Sequence, residues 1–115
     1  MDFPDILKML REKRGYSQQG LAEVLHVSKN SVSHYELRVS MPSIDVLIGI
    51  ADIFDVSLDY LLGRSSANLS KRLLEKPIDK NITAGKVLES ILKLDKDRRK
   101  DLLKILYYIE KDNNQ

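Results

Sequence analysis

A chain of 115 residues, 43% hydrophobic and 31% charged, has room for one compact domain and an accessory element. It has no cysteine, which excludes disulfide frameworks, thiolate zinc sites and thiol nucleophiles together and suits a reducing compartment. The net charge of +2 hides a division, because residues 1–63 carry six Lys/Arg against nine Asp/Glu, a balance of −3, while residues 64–115 carry thirteen against eight, a balance of +5.

The first predicted element runs from Phe3 to Arg14, with Ile6, Leu7 and Leu10 on one face, Pro4 in the tolerant first turn and Gly15 as the stop. Its apolar part, Phe3 to Leu10, is too short and too charged for a signal-peptide core. Ser17 is placed to cap a second helix carrying Leu21, Ala22 and Leu25, and Ser28 a third carrying Val32 and Tyr35. Pro42 and Ser43 open a fourth helix with Ile44, Leu47, Ile48, Ala51 and Phe54 expected inward. Ser57 opens a short fifth with Leu58, Leu61 and Leu62 before Gly63. No stretch alternates as a strand does, so the fold class is all-α, with five helices in residues 1–63.

Residues 64–82, rich in Ser and Asn and containing Pro77, read as a linker with one brief amphipathic piece near Leu69 to Leu74. In residues 83–115 helical patterning returns as a C-terminal pair. Val87, Leu88, Ile91 and Leu92 form one stripe, and Leu102, Ile105, Leu106 and Ile109 form another behind a cap at Asp95. Lys104 interrupts that last stripe, which is far below a membrane-spanning length, so a soluble, cytoplasmic protein is expected.

The stretch from Ser28 to Leu37 is unusual. At about 100° per residue with Lys29 at zero, Ser33, Leu37, Asn30 and His34 fall between about 40° and 140°, while Tyr35 and Val32 fall near 240° and 300°. A helix face selected only for solubility favours Glu and Lys at i, i+4. This one offers short hydrogen-bonding side chains, poor helix formers that suit base edges in a DNA major groove. Asn bonds adenine bidentately, Lys donates to guanine, Ser serves either sense and Leu37 meets a thymine methyl. Plain polar surface is the competing reading.

In "SQQGLAEVLHVSKNSVSHYE" the core positions Leu21, Ala22, Leu25, Val27, Val32 and Tyr35 have the spacing of a tight helix-turn-helix. The segment resembles the lambdoid phage repressor and Cro family, the Xre-like regulators. The resemblance continues through "MPSIDVLIGIADIFDVSLDYLLG" and covers residues 3–63. It implies base reading by Lys29, Asn30, Ser33 and His34. It also implies backbone contacts by Gln18, Ser31, Arg38 and the amides near Ser43 and Ile44, and an ion pair of Arg11 with Glu36 that fixes the reading helix. His26 stands where relatives commonly have Gly in a left-handed turn, Leu37-Arg38 replace an Asn-Gly common after Tyr-Glu, and Gly20 weakens the second helix slightly.

No nucleophile and base pair, no phosphate-binding loop and no ligand-spaced His or acid cluster is present, so no enzyme, metal, cofactor or small-molecule ligand is expected. Two short C-terminal helices bury little alone, so Val87, Leu88, Ile91, Leu102, Ile105, Leu106 and Ile109 need another surface. A second copy supplies it most simply, and folding back on the first domain is the alternative. The expected function is a sequence-specific DNA-binding transcriptional regulator. It would be a repressor acting as a homodimer on a palindromic operator, with the rival being a protein-interaction module, antitoxin-like or adaptor.

The proposed groove face has only Lys29 and Arg38 as full charges. Binding should therefore weaken only modestly between roughly 50 and 200 mM salt, since the slope counts the phosphates that cations neutralise. Titration of a labelled duplex at several salts measures it, and a slope equal to many cation contacts per subunit would refute the reading.

Overall fold

The computed structural model describes residues 1–113. They divide into two compact units, Met1–Arg72 and a second beginning at Leu73. The first unit contains α1 (Phe3–Lys13), α2 (Gln18–Leu25), α3 (Lys29–Glu36), α4 (Ile44–Phe54) and α5 (Leu58–Leu61). The one-turn α6 (Lys71–Leu74) lies across the boundary. The second unit holds a hairpin of β1 (Pro77–Asp79) and β2 (Ile82–Thr83), then α7 (Ala84–Leu92) and α8 (Lys96–Asn113).

Local chemistry sets where the helices begin. Ser17, Ser28, Ser43 and Ser57 each accept the backbone N–H three residues on, at 2.9, 3.1, 3.3 and 3.1 Å, and so start α2, α3, α4 and α5. Thr83 and Asp95 do the same for α7 and α8 at 3.3 and 2.9 Å. Each such cap is worth about 1 kcal/mol relative to alanine. Between them the apolar stripes converge. Leu7, Leu21, Ala22, Val32, Ile50 and Leu61 are fully buried, with Phe3, Ile6, Tyr35, Phe54 and Val56 close around them. The Tyr16 ring meets Phe54 edge-on with centroids 6.2 Å apart.

Three expectations are corrected. Ile44 and Ile48 are exposed, at 74% and 43%, rather than inward. The buried side of α4 is Ile50, Ala51 and Phe54 with Leu47 partly covered. Ile48 lies about 100° round from Leu47, and Ile44 occupies the open first turn. Leu58, also in a first turn, is exposed. The all-α description holds for the bundle but omits the hairpin, whose strands of three and two residues are too short for an alternating pattern to register. Lys80 N–H bonds the Asp79 side chain at 2.8 Å in its turn.

The third correction concerns residues 64–82. Asn68 donates to the Asp55 carbonyl and accepts from Ser57 N–H, both at 3.0 Å, Ser65 N–H bonds the Asp59 carbonyl, and Ser70 is buried. The early part of that stretch is therefore part of the first unit. The later part is built too: Ala84 N–H bonds the Lys76 carbonyl at 2.9 Å, and a β-carbon on Gly85 would lie 3.2 Å from the Leu74 carbonyl oxygen.

Gly15 and Gly63 share one backbone conformation, φ +75° and +76°, but differ in surroundings. A β-carbon on Gly15 meets nothing within 4 Å, whereas on Gly63 it falls 2.6 Å from the Met1 carbonyl oxygen. Gly15→Ala should lower stability by about 1 kcal/mol through conformation alone, and Gly63→Ala by at least about 1 kcal/mol more because backbone must move. Denaturant unfolding of the two variants checks this. Equal losses would show that Met1 yields freely.

Candidate nucleic-acid interface

Helices α2 and α3 are separated by only His26, Val27 and Ser28. The turn is made by His26 at φ 58° and ψ 40°, in the left-handed region, with Val27 N–H bonded to the Ala22 carbonyl at 3.0 Å. Histidine tolerates this conformation better than a β-branched residue does. The small, fully buried Ala22 and Val32 allow the two helices to pack closely at the turn.

α3 has two sides. Val32 and Tyr35 are buried against the bundle. Lys29, Asn30 and His34 are exposed, Ser33 is half-buried, and Leu37, just past the helix end, is 68% exposed. The side chains of Lys29, Asn30, Ser33 and His34 make no hydrogen bond or ion pair among the described residues. Their donors and acceptors are therefore available on one side of a rod about 12 Å long.

A buried ion pair sets the angle of that rod. Arg11 of α1 donates through Nε to Glu36 Oε2 at 2.7 Å and through Nη2 to Oε1 at 3.0 Å, while its Nη1 donates to the Tyr16 carbonyl at 2.9 Å. The two side chains are 11% and 4% exposed. Hydrogen bonding to Glu36 raises the Arg11 pKa above its ordinary value despite the opposing desolvation, with the Glu36 charge adding to it. Gln18, expected at the DNA backbone, donates to the same carboxylate, Glu36 Oε1, at 3.3 Å. Its amide keeps a second N–H. Ser31 Oγ pairs with Ser28 Oγ at 2.9 Å, while Ser43 caps α4 beside the exposed Ile44.

Arg38 differs most from its expected place. Its φ is +65°, and its guanidinium Nη2 lies 2.8 and 2.9 Å from the two oxygens of Asp2 and 3.3 Å from Asp5. Hydrogen bonding to Asp5 raises its pKa against desolvation, with the Asp2 charge reinforcing it. For Asp2, desolvation pushes the pKa up, but hydrogen bonding with Asp5 and the Arg38 charge outweigh it and hold the carboxyl below its ordinary value. Asp2 and Asp5 carry no signal of this role in the sequence. Acids at a helix start are ordinary there, and Arg38 lies 36 and 33 residues away.

In the second unit no residue of α7 or α8 is buried among those described. Val87, Ile91 and Leu102 are half-covered, while Leu88, Ile105, Leu106 and Ile109 are exposed, as are Leu92 and Leu103. Among the described residues no helix is long and apolar enough to cross a membrane, and no group of three or more His, Asp or Glu is placed to hold a metal.

A short helix seated by a left-handed turn against a capped partner, with its polar side outward, defines the helix-turn-helix class of DNA-binding protein. Comparison with known proteins agrees: the helix-turn-helix family model matches residues 7–61. The chain is 35% identical over 88 residues to the HTH-type transcriptional regulator ImmR of Bacillus subtilis, covering 75% of this chain and 69% of that protein. A putative HTH-type regulatory protein of Pyrococcus furiosus is 45% identical over 71 residues, 62% of this chain but only 22% of its own length. Among solved structures, the P22 c2 repressor bound to a synthetic operator superposes with a TM-score of 0.54 at 23% identity, covering 56% of this chain and 98% of that one. A Listeria innocua transcriptional regulator gives 0.54 at 21% identity over 95% and 92%. At those identities the two structures show a shared fold. The chain belongs to the helix-turn-helix family of DNA-binding transcriptional regulators.

Removing one partner of the buried pair isolates the other's charge, so Glu36→Ala should cost about 3–5 kcal/mol of folding stability. Arg11→Met combined with Glu36→Leu should recover most of it. Denaturant unfolding of the single and double variants tests this, and equal losses in both would contradict it.

Proposed function

We propose that the protein inserts α3 in the major groove of a near-palindromic operator and represses transcription in the cytoplasm by occupying that site. The observation that carries the reading is the polar side of α3, where Lys29, Asn30, Ser33 and His34 have no side-chain partner among the described residues while Gln18, Ser31 and Arg38 around them make contacts within the protein. In this reading Asn30 bonds an adenine edge, Lys29 a guanine, Ser33 and His34 either sense, and Leu37 a thymine methyl. Gln18, Ser31 and the amides of Ser43 and Ile44 meet phosphates, where the dipoles of α2 and α4 favour an anion.

Two copies of the chain bind together in this proposal. The apolar residues of α7 and α8, among them Leu88, Ile105, Leu106 and Ile109, are exposed in the single chain, and a second copy covers them and sets the two reading helices one DNA turn apart, roughly 34 Å. The five-helix first domain acts as the reading head and the C-terminal pair as the dimerisation element.

Selection from random duplexes at fixed salt should return a two-fold symmetric site. Asn30→Ala with Ser33→Ala should reduce the preference for it by about tenfold to a thousandfold at unchanged thermal stability, since each base pairing discriminates by roughly 1–3 kcal/mol. Leu106→Asp should shift sedimentation toward a monomer. A chain that selects no duplex, or that sediments as a monomer at high concentration before substitution, would contradict the reading.

A further inference from the structure

Arg38 is the only full cation in the loop between α3 and α4, and both carboxylates at the start of α1 converge on it. We propose that Asp2 and Asp5 are an affinity brake: they withhold Arg38 from the DNA backbone and lower binding to every duplex alike, leaving the base contacts of α3 to decide where the protein stays. The brake rests on the reading that α3 enters the major groove, which brings the loop after it to the flanking phosphates.

Several features of the cluster point to this role. One guanidinium nitrogen, Nη2, faces three carboxylate oxygens at 2.8, 2.9 and 3.3 Å, so the group carries one net negative charge where a phosphate contact is otherwise expected. Asp2 stands at the N-cap of α1, yet its side chain makes no capping hydrogen bond; it is turned to Arg38 instead. An Asp at that position ordinarily caps the helix. The backbone at Arg38 has φ +65°, a conformation that glycine adopts without cost, and Val39 N–H bonded to the His34 carbonyl at 2.9 Å holds it there. All three side chains are half-exposed, at 51%, 57% and 51%. Their attraction is screened by water, so the cluster does little for folding and remains open to exchange with a phosphate.

The test uses the full chain with Asp2→Asn and Asp5→Asn together, Arg38→Gln alone, and the triple variant. Affinity for the selected duplex and for a scrambled duplex of equal length is read by anisotropy at several salts. Freeing one cation for one phosphate should tighten both duplexes by about fivefold to tenfold near ~0.1 M salt and steepen the salt slope by about 0.9. Arg38→Gln should weaken binding less in the wild-type background, where it only uncovers the two carboxylates, than in the double variant, where it removes most of the gain. Unchanged or weakened binding by the double variant overturns the brake, as does an Arg38→Gln loss of equal size in both backgrounds. If the double variant fails to fold, Asp2→Asn alone decides, because Asn serves as an N-cap and Asp5 remains. Failure of the underlying reading is distinct: the wild-type chain then selects no duplex, and Asn30→Ala with Ser33→Ala changes nothing.

Discussion

An eight-residue helix with two buried side chains cannot fix its own direction. Val32 and Tyr35 seat α3 against the bundle, but what prevents it from rolling is the Arg11–Glu36 pair, buried at the far end and bonded through two nitrogens. The pair joins α1 to the last residue of α3, and Gln18 bonds the same carboxylate from the start of α2. Three helices thus meet on one charged group. A bidentate guanidinium–carboxylate contact constrains angle as well as distance, which a purely apolar contact would not. The outward presentation of Lys29, Asn30, Ser33 and His34 follows from that constraint.

Much of this was legible because the informative signals are local. A serine or aspartate ahead of an apolar stripe marks a helix start, and the caps at Ser17, Ser28, Ser43, Ser57 and Asp95 all act as such a pattern implies. The two-sided character of α3 followed from angles alone. Where the reading failed, distance along the chain or element length was the cause. Periodicity could not tell Ile44 and Ile48 from core, since it does not record which part of a stripe a neighbour covers. A hairpin of five strand residues is too brief to produce a period, and Asn68 looks like linker composition until it is seen bonding Asp55 and Ser57. The Arg38 contacts with Asp2 and Asp5 span more than thirty residues and leave no local trace.

The two parts of the chain divide the physical work. Residues 1–63, which hold the packed core, have an acidic balance of −3 and few cations near the reading helix, so affinity there leans on neutral donors and helix termini rather than on charge. Residues 64–115 carry the balance of +5, and large apolar side chains along α7 and α8 are exposed. Basic charge locates the footprint in many nucleic-acid-binding proteins. Here the helix-turn-helix lies in the acidic part, and geometry outranks net charge as a guide.

The most direct test of the central claim is base-analogue interference on the selected duplex, replacing single purines by 7-deaza purines, which lack the N7 acceptor of the major groove but keep base pairing and the minor groove. If α3 reads the major groove, affinity falls at a short run of purines in each half-site, and Asn30→Ala erases part of this sensitivity. Insensitivity to every such replacement, with affinity lost instead on minor-groove changes, would contradict it.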